Sequence, residues 1–356
     1  MKNSGIRSTA GTIIALLILS ALATAQHYQQ TNLVSDIPGV ASKTDPQLVN
    51  AWGLARGAAS PWWVNDNGTG VSTLYNSSGT KQSLVVNIPP PTSSTATATP
   101  TGIIFSGGNG FVVSGPNGSG AALFIFDTED GTISGWSPNA DPTHAILEVD
   151  NSATAVYKGL AIANFNNARL IYAADFRTGK IDVFDANWHP TTVPGGFLDS
   201  SIPPKFAPFN IQNIGGNLFV AYAKQGELPD EQAGQGLGFV DEFDSGGNLL
   251  IRLQHGPWMN APWGMALAPS DFGEFSNHLL IGQFGSGRIA AFDAKTGEFS
   301  GFLHGARGPL EIDGLWALVF GGGQPNNGSA NTLFFTAGID DEAHGLFGTL
   351  TAIRDK

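Results

Sequence analysis

Cysteine is absent from the 356-residue chain, so disulfides do not stabilise it and thiol catalysis is excluded. Charge is scarce too: 13% of residues are Asp, Glu, Lys or Arg, about half the usual share of a soluble domain. The 17 Lys and Arg are outnumbered by 29 Asp and Glu, giving a formal charge of −12. That balance argues against nucleic acid and anionic membrane as partners. The seven histidines, His27, His144, His189, His255, His278, His304 and His344, are scattered singly with no metal-ligand spacing. A Gly-x-Ser-x-Gly nucleophile elbow is missing, and Gly179-Lys180-Ile181 lacks the leading glycines and the Ser or Thr of a phosphate-binding loop.

Long hydrophobic runs are missing except at the amino terminus. There Lys2 and Arg7 precede an apolar stretch from Gly11 to Leu22, followed by Ala23-Thr24-Ala25. This is the layout of a cleaved export signal, and the run is short of the ~20 residues a membrane span needs. The expectation is a signal peptide over 1–25, a mature chain from Gln26, and a soluble protein in the periplasm or outside the cell. Losing Lys2 and Arg7 takes the formal charge from −12 to −14.

What the chain has in abundance is glycine, 47 residues, within a composition that is 42% hydrophobic and 10% aromatic. Short apolar runs alternate with turn residues, the pattern of an all-β, turn-dense protein. Residues 260 to 293 show the unit most clearly: Asn260-Ala261-Pro262-Trp263-Gly264-Met265-Ala266, a polar turn, then Leu279–Gln283 and Arg288–Phe292 joined by Gly285-Ser286-Gly287. Ala174 to Asp185 matches Gly282 to Asp293 without a gap. The opening strand recurs with positions 53, 102, 159, 210, 264 and 316 in register, separated by 49, 57, 51, 54 and 52 residues. A period of about 50 residues with several strands per period specifies propeller blades. The expected fold is therefore a single six-bladed β-propeller over 26–356 with four-stranded blades.

The last repeat supplies Leu315–Phe320, Thr332–Ala337 and Leu346–Ile353 and then stops one strand short, while Leu33–Pro38 resembles the final strand of the first repeat, Leu84–Pro89. The amino-terminal strand is expected to complete the last blade and close the ring. Blade 2 is read as carrying strands at Gly110–Ser114, Ala121–Asp127 and Thr132–Trp136, and the tract from Pro89 to Pro100 as a linker without a strand. A polar insertion in blade 4, Gln225 to Gly236, is expected on a binding face. Small residues opening the innermost strands allow close approach at the axis.

The blade text resembles the NHL-repeat and related six-bladed propellers, through Asp175, Lys180-Ile181 and Phe184-Asp185 and through Arg288-Ile289 and Phe292-Asp293. More narrowly, Asn260 to Ala266 and Asp313-Gly314-Leu315-Trp316-Ala317-Leu318 resemble an uncharacterised family of exported bacterial proteins, some of which end in a PEP-CTERM sorting tail. This chain ends at Arg354-Asp355-Lys356 with no such tail, so the resemblance implies export and does not imply surface sorting. It lends fold rather than chemistry.

In such a blade the start of the first strand and the turn between the second and third lie on one face. That places Asn50, Thr101, Lys158, Asn210, Asn260 and Asp313 at one mouth of the axial channel, ringed by Asp66, Asp175, Lys224, Gln283, Asp340 and Asp341 and rimmed by Trp52, Trp63, Trp258, Trp263 and Trp316. The first reading is a binding module for a small molecule, glycan or protein, working as a monomer through this mouth, with Asn50, Lys158, Asn210, Asn260, Trp263 and Asp313 as its ligand-binding residues. The second is a divalent-metal-dependent hydrolase, lactonase or lyase, with Asn50, Asn210, Asn260 and Asp313 offering oxygen ligands to Ca2+ and Lys158 polarising the substrate. Such a site would resemble the calcium-dependent six-bladed lactonases, but Gln47-Leu48-Val49-Asn50 offers no carboxylate where those enzymes use a glutamate. Asp66 and Asp175 are read as turn-closing residues. Asp127 to Gly131 and Asp340-Asp341-Glu342 are read as a partial calcium loop and a solvated acidic turn.

Overall fold

The computed structural model describes Met1 and residues 26–354; the export signal expected over 1–25 falls outside the described residues. Six antiparallel sheets follow one another around a common axis. Blade 1 comprises Ala51–Ala55, Trp62–Asp66, Val71–Tyr75 and Lys81–Asn87, ordered from the axis outwards. Blades 3, 4 and 5 repeat this meander from Tyr157, Phe206 and Pro262, respectively. In blade 2, Pro100–Phe105 pairs directly with Phe124–Thr128. Residues Gly110–Ser114, expected as a blade strand, instead contribute to a separate hairpin of Val112–Gly115 with Gly118–Ala121. Its period-2 alternation is genuine, but it is spent on a side excursion between the first and second blade strands.

Blade 6 is closed as the missing strand requires. Gln26–Ser35 lies antiparallel to His344–Arg354, with Gln26 opposite Arg354 and Ser35 opposite Leu346. The join is locked at one end by Asp36, whose carboxylate accepts from Gly345 N (2.9 Å) and faces His344 Nδ1 (2.6 Å). Near the other end, buried Tyr28 reaches into blade 5: its hydroxyl donates to Phe272 O (3.1 Å) and accepts from Phe275 N (3.2 Å). A ring built this way has no open edge between first and last blades.

Apolar side chains gather between neighbouring blades rather than within one. Trp63, Phe124 and Trp136 join blades 1 and 2, Ile171 and Phe111 join blades 2 and 3, and Phe239 and Tyr172 join blades 3 and 4. A lone blade therefore cannot bury its own faces, and the ring folds as a unit.

One irregularity recurs in every blade. Near its start the innermost strand holds one extra residue against the second strand, seen as a register shift at Ala51/Leu54, Pro100/Ile103, Tyr157/Leu160, Pro208/Asn210, Pro262/Met265 and Leu315/Leu318. Such a bulge re-aims a side chain. The residues at equivalent positions are Trp52, Thr101, Lys158, Phe209, Trp263 and Trp316, and all six are buried. Beside them, a Cβ on Gly53 would run into the Thr101 carbonyl oxygen and one on Gly264 into that of Trp316, which is why glycine opens these strands.

Replacing Tyr28 by Ala should cost about 3–5 kcal/mol, the usual loss for a large buried aromatic, and Tyr28→Phe about 1 kcal/mol for its hydrogen bonds. Urea unfolding of the whole ring in one transition, with lowered midpoints, would bear this out; an early separate transition confined to blade 6 would count against cooperative closure.

Candidate functional site: the two ends of the axial channel

At the end where the innermost strands begin, the channel is plugged. Trp52 and Trp316 stack at 3.7 Å between ring centroids, Trp263 packs edge-on to both at 6.4 and 5.8 Å, and Phe284 stacks on Trp316 at 4.1 Å. Lys158, 1% exposed, lies against this aromatic mass with its ammonium 4.9 Å from the Trp52 ring centroid and 5.8 Å from those of Phe176 and Phe209. Cation–π attraction is strongest when the cation is desolvated in this way.

Three carboxylates meet that ammonium. Glu129 Oε1 lies 2.5 Å from Lys158 Nζ and Glu231 Oε2 lies 3.8 Å away, while Glu342 acts on it through space. The three come from the turn between second and third strands in alternate blades, 2, 4 and 6. Amides of blade 1 complete the cluster. Asn67 Nδ2 donates to Glu129 Oε2 (2.9 Å), and Asn50 Nδ2 lies 3.4 Å from both Asn67 Oδ1 and Glu342 Oε1. Burial works against the Lys158 charge, but Glu129 and Glu231 outweigh it and hold the ammonium above its ordinary pKa. On the acidic side, burial and then the neighbouring charges of Glu231 and Glu129 push Glu342 up to about 7. Glu231 is also raised, by burial first, although Lys158 opposes it.

The insertion Gln225–Gly236 carries Glu231 to this point. Glu231–Gln232 folds back onto Lys224–Gln225, Gln225 Nε2 donates to Phe176 O in blade 3, and Gly234 N donates to Asn260 Oδ1 in blade 5 (2.6 Å). The loop was expected beside an open mouth. It closes that mouth instead.

The sequence-derived site residues therefore divide. Lys158 and Asn50 come together in the charged cluster. Asn210 is a backbone bracket, its Oδ1 accepting from Ile211 N and its Nδ2 donating to Trp263 O, each at 2.8 Å. Asn260 holds Gly234, and Asp313 is exposed and accepts from Asp340 N (2.7 Å). The proposed metal ligands do not share a centre: Asn50 Oδ1 accepts from Trp316 Nε1 (3.1 Å), and the other three oxygens are taken by three further N–H donors. Only one of the four is a carboxylate, so this set does not fit a hard divalent cation. Among the described residues no group of three or more His, Cys, Asp or Glu is placed to hold a metal ion. The tryptophan rim also needs correction. Trp52, Trp263 and Trp316 are the plug; Trp63 lies between blades 1 and 2, stacked on Phe124 at 4.0 Å, and Trp258 stacks on Phe299 at 4.2 Å.

Asp175 closes its turn, accepting from Arg177 N (3.1 Å) and Thr178 N. Asp127, fully buried, accepts from Thr101 Oγ1 (2.9 Å) and Gly102 N (2.6 Å), and burial still pushes it up to about 7. The stretches read as a partial calcium loop and a solvated acidic turn instead bring Glu129 and Glu342 to Lys158, and Glu231 joins them from the insertion; their turns differ in length and composition, so no common spacing marks the three.

The opposite end of the channel is open. A cavity of about 330 Å³ is lined by the later residues of the innermost strands, including Leu54, Arg56, Ile103, Leu160 and Leu318, with Asn210 and Trp263 at its inner end. Ile162 and Asn213 form part of its wall and also line a neighbouring pocket of about 360 Å³ that contains Arg169. No Asp or Glu lines either space.

This architecture is that of a six-bladed β-propeller, and comparison with solved structures agrees. Virginiamycin B lyase from Staphylococcus aureus superposes with a TM-score of 0.52 over 92% of this chain and 100% of its own, at 10% identity, a likeness of fold alone. The chain belongs to the family of two uncharacterised proteins of Acanthamoeba polyphaga mimivirus, "Uncharacterized protein R648" and "Uncharacterized protein L690". It is 32% identical to the first over 326 residues and 33% identical to the second over 331, covering 89% of this chain and 78% and 84% of theirs. These relatives are giant-virus proteins, so the bacterial attribution drawn from Asn260–Ala266 and Asp313–Leu318 is not supported by them. No family model matches the chain.

Removing the Lys158 charge leaves three carboxylates facing one another in a buried place. Lys158→Met should cost about 3–5 kcal/mol, as for other broken buried ion pairs. The folded-state pKa of Glu342 lies above its ordinary 4.5, so the stability it contributes is complete below about pH 4.5 and is lost as pH rises through about 7. Thermal unfolding across pH 4.5–8 should show Glu342→Gln with a shallower decline and a higher Tm at pH 8 than the parent; part of the slope remains, since Asp127 titrates with the same sign. A parallel pH profile for the two proteins would remove Glu342 from the account.

Proposed function

We propose that this protein is a binding module that holds a small molecule in the open end of its axial channel. The observation that carries this reading is the cavity of about 330 Å³ on the axis, walled by innermost strands of several blades and closed at its inner end by the tryptophan plug. Its size falls at the lower end of the range for small-molecule pockets. Blades surround it on rigid strands rather than loops, so the walls are preorganised and little ordering accompanies binding. Trp263, at the inner end, supplies an intrinsic reporter.

The Lys158 cluster supports this reading in a different way. A charged lysine enclosed by Glu129 and Glu231 is matched internally, and the group that was expected to polarise a substrate is engaged in holding blades 2, 3, 4 and 6 together. Action after export belongs to the same reading, supported by the order Lys2 and Arg7, Gly11–Leu22, Ala23-Thr24-Ala25. Among the described residues no helix is long and apolar enough to cross a membrane.

Two measurements test this. Ile162 lines the cavity and is partly exposed, so Ile162→Trp should fill the space with little loss of Tm. Binding of the fluorescent probe 1-anilinonaphthalene-8-sulfonate to the parent, with quenching of tryptophan emission, should weaken at least tenfold in the filled variant; equal binding by both would move the site elsewhere. For export, intact mass of protein recovered from the medium or periplasm of an expressing cell should correspond to a chain starting at Gln26, whereas a full-length product confined to the cytoplasm would contradict the leader.

A further inference from the structure

Much of what the open cavity shows a ligand is main chain. Each innermost strand lies at the edge of its sheet, so alternate residues turn an N–H and a C=O away from the ladder and toward the axis. Near the plug these groups are answered internally. Thr336 Oγ1 donates to Trp52 O, Asn65 Nδ2 to Gly102 O (2.9 Å), Trp263 Nε1 to Lys158 O (2.8 Å) and Asn210 Nδ2 to Trp263 O (2.8 Å). Around the cavity this capping thins out: among the described residues no side chain bonds the backbone of Leu54, Ile103, Leu160, Gln212 or Leu318. Apolar side chains do not cover the strand edges there. Leu54, Ile103, Leu160 and Leu318 are 6%, 7%, 4% and 1% exposed, because they belong to the packing between blades.

The side chains that do reach the space are polar and offer no free charge. Gln212 is half-buried, and its amide has no hydrogen-bond partner among the described residues. Asn213 donates to Ile162 O (2.8 Å) and accepts from Gly216 N (3.0 Å), which leaves its amide one hydrogen and one lone pair. Arg56, the one ionic group of the lining, is engaged: Nε and Nη2 donate to Phe320 O and Gly321 O, and Nη1 lies against Gly322. Phe105 lines the same space, 38% exposed, its ring resting on Phe124 at 5.2 Å between centroids.

Such a wall mixes donors and acceptors at short intervals and holds no counter-ion. A hydroxyl both donates and accepts, so a molecule bearing several of them pairs with either kind of group. A charge would stay unmatched there, and a hydrocarbon would leave the strand edges unsatisfied. The C–H face of a sugar ring also suits the negative face of an aromatic ring. Resting on the channel-binding reading above, we infer that the ligand is a neutral sugar of one or two rings, its hydroxyls bonded to the strand edges and to the Gln212 and Asn213 amides, with a ring face against Phe105.

Isothermal titration of the intact protein with D-glucose, D-galactose, D-mannose, maltose, cellobiose and lactose tests this. Cyclohexanol and D-glucuronate serve as counterparts that keep a six-membered ring but lose most hydroxyls or add a charge. At least one neutral sugar should bind, and at least tenfold more tightly than either counterpart, the scale of one or two hydrogen bonds. Gln212→Leu removes an amide that bonds nothing within the fold, so it should leave Tm unchanged and weaken that sugar at least fivefold, while 1-anilinonaphthalene-8-sulfonate binds it no less well than the parent. Cyclohexanol or glucuronate binding as tightly as the best neutral sugar, or sugar binding untouched by Gln212→Leu, would overturn the sugar inference. So would failure of all six sugars while the fluorescent probe binds the parent and is lost in Ile162→Trp, an outcome that leaves the channel reading standing. Failure of the probe and the sugars alike would overturn the two together.

Discussion

The structure depends on a single repeated distortion. Each innermost strand carries one residue too many near its start, and in each blade that position supplies a buried side chain at the axis: Trp52, Thr101, Lys158, Phe209, Trp263 and Trp316. Six copies of one backbone feature thus converge on one place. Tryptophans at three of them make a plug, and the lysine gives it a charge that must be answered. The answer comes from blades 2, 4 and 6, so a cluster spanning the ring is specified by side chains far apart in sequence. Glu129 and Glu231 are brought to Lys158 at a cost in desolvation that the mutual attraction offsets only while all partners are present. Burial, and then the charges of Glu231 and Glu129, hold the Glu342 proton to higher pH than usual.

This arrangement gives the two ends of the channel different characters. One is sealed by rings, amides and an internal ion cluster and capped by the blade 4 insertion. The other opens between strand walls in which Arg56, Asn210, Gln212 and Asn213 stand beside buried leucines and isoleucines. A site in such a ring is shaped by strands from several blades at once, which is why its walls are stiff. Arg56 is held in the wall by carbonyls of blade 6.

Much of the ring was legible in the sequence, and the reasons are local. Gly53, Gly102, Gly159 and Gly264 recur at a constant period because a Cβ there would meet the next blade, and Leu33 to Pro38 stood out as the strand the last blade lacked. The hairpin inserted in blade 2 was misread because its alternation is as good as a blade strand's, and alternation does not say which sheet a strand joins. The site was harder. Asn50, Lys158, Asn210 and Asn260 are polar residues at strand starts, and polarity there suggested a wet funnel. Their partners are what reverse the conclusion: each is occupied by backbone or by another blade. Glu129, Glu231 and Glu342 are neighbours only in space; a short turn, a long insertion and an acidic corner share no spacing. The cavity at the far end was hidden because its wall residues are also ordinary strand residues.

The central claim, that this channel is sealed at the Lys158 end and open at the Arg56 end, is tested most directly by a crystal structure of the protein grown with 1-anilinonaphthalene-8-sulfonate. The account predicts density for the probe between the innermost strands near Arg56, Leu160 and Trp263, with the Lys158–Glu129 pair undisturbed. Density for the probe at Lys158, with the glutamates displaced, would contradict it.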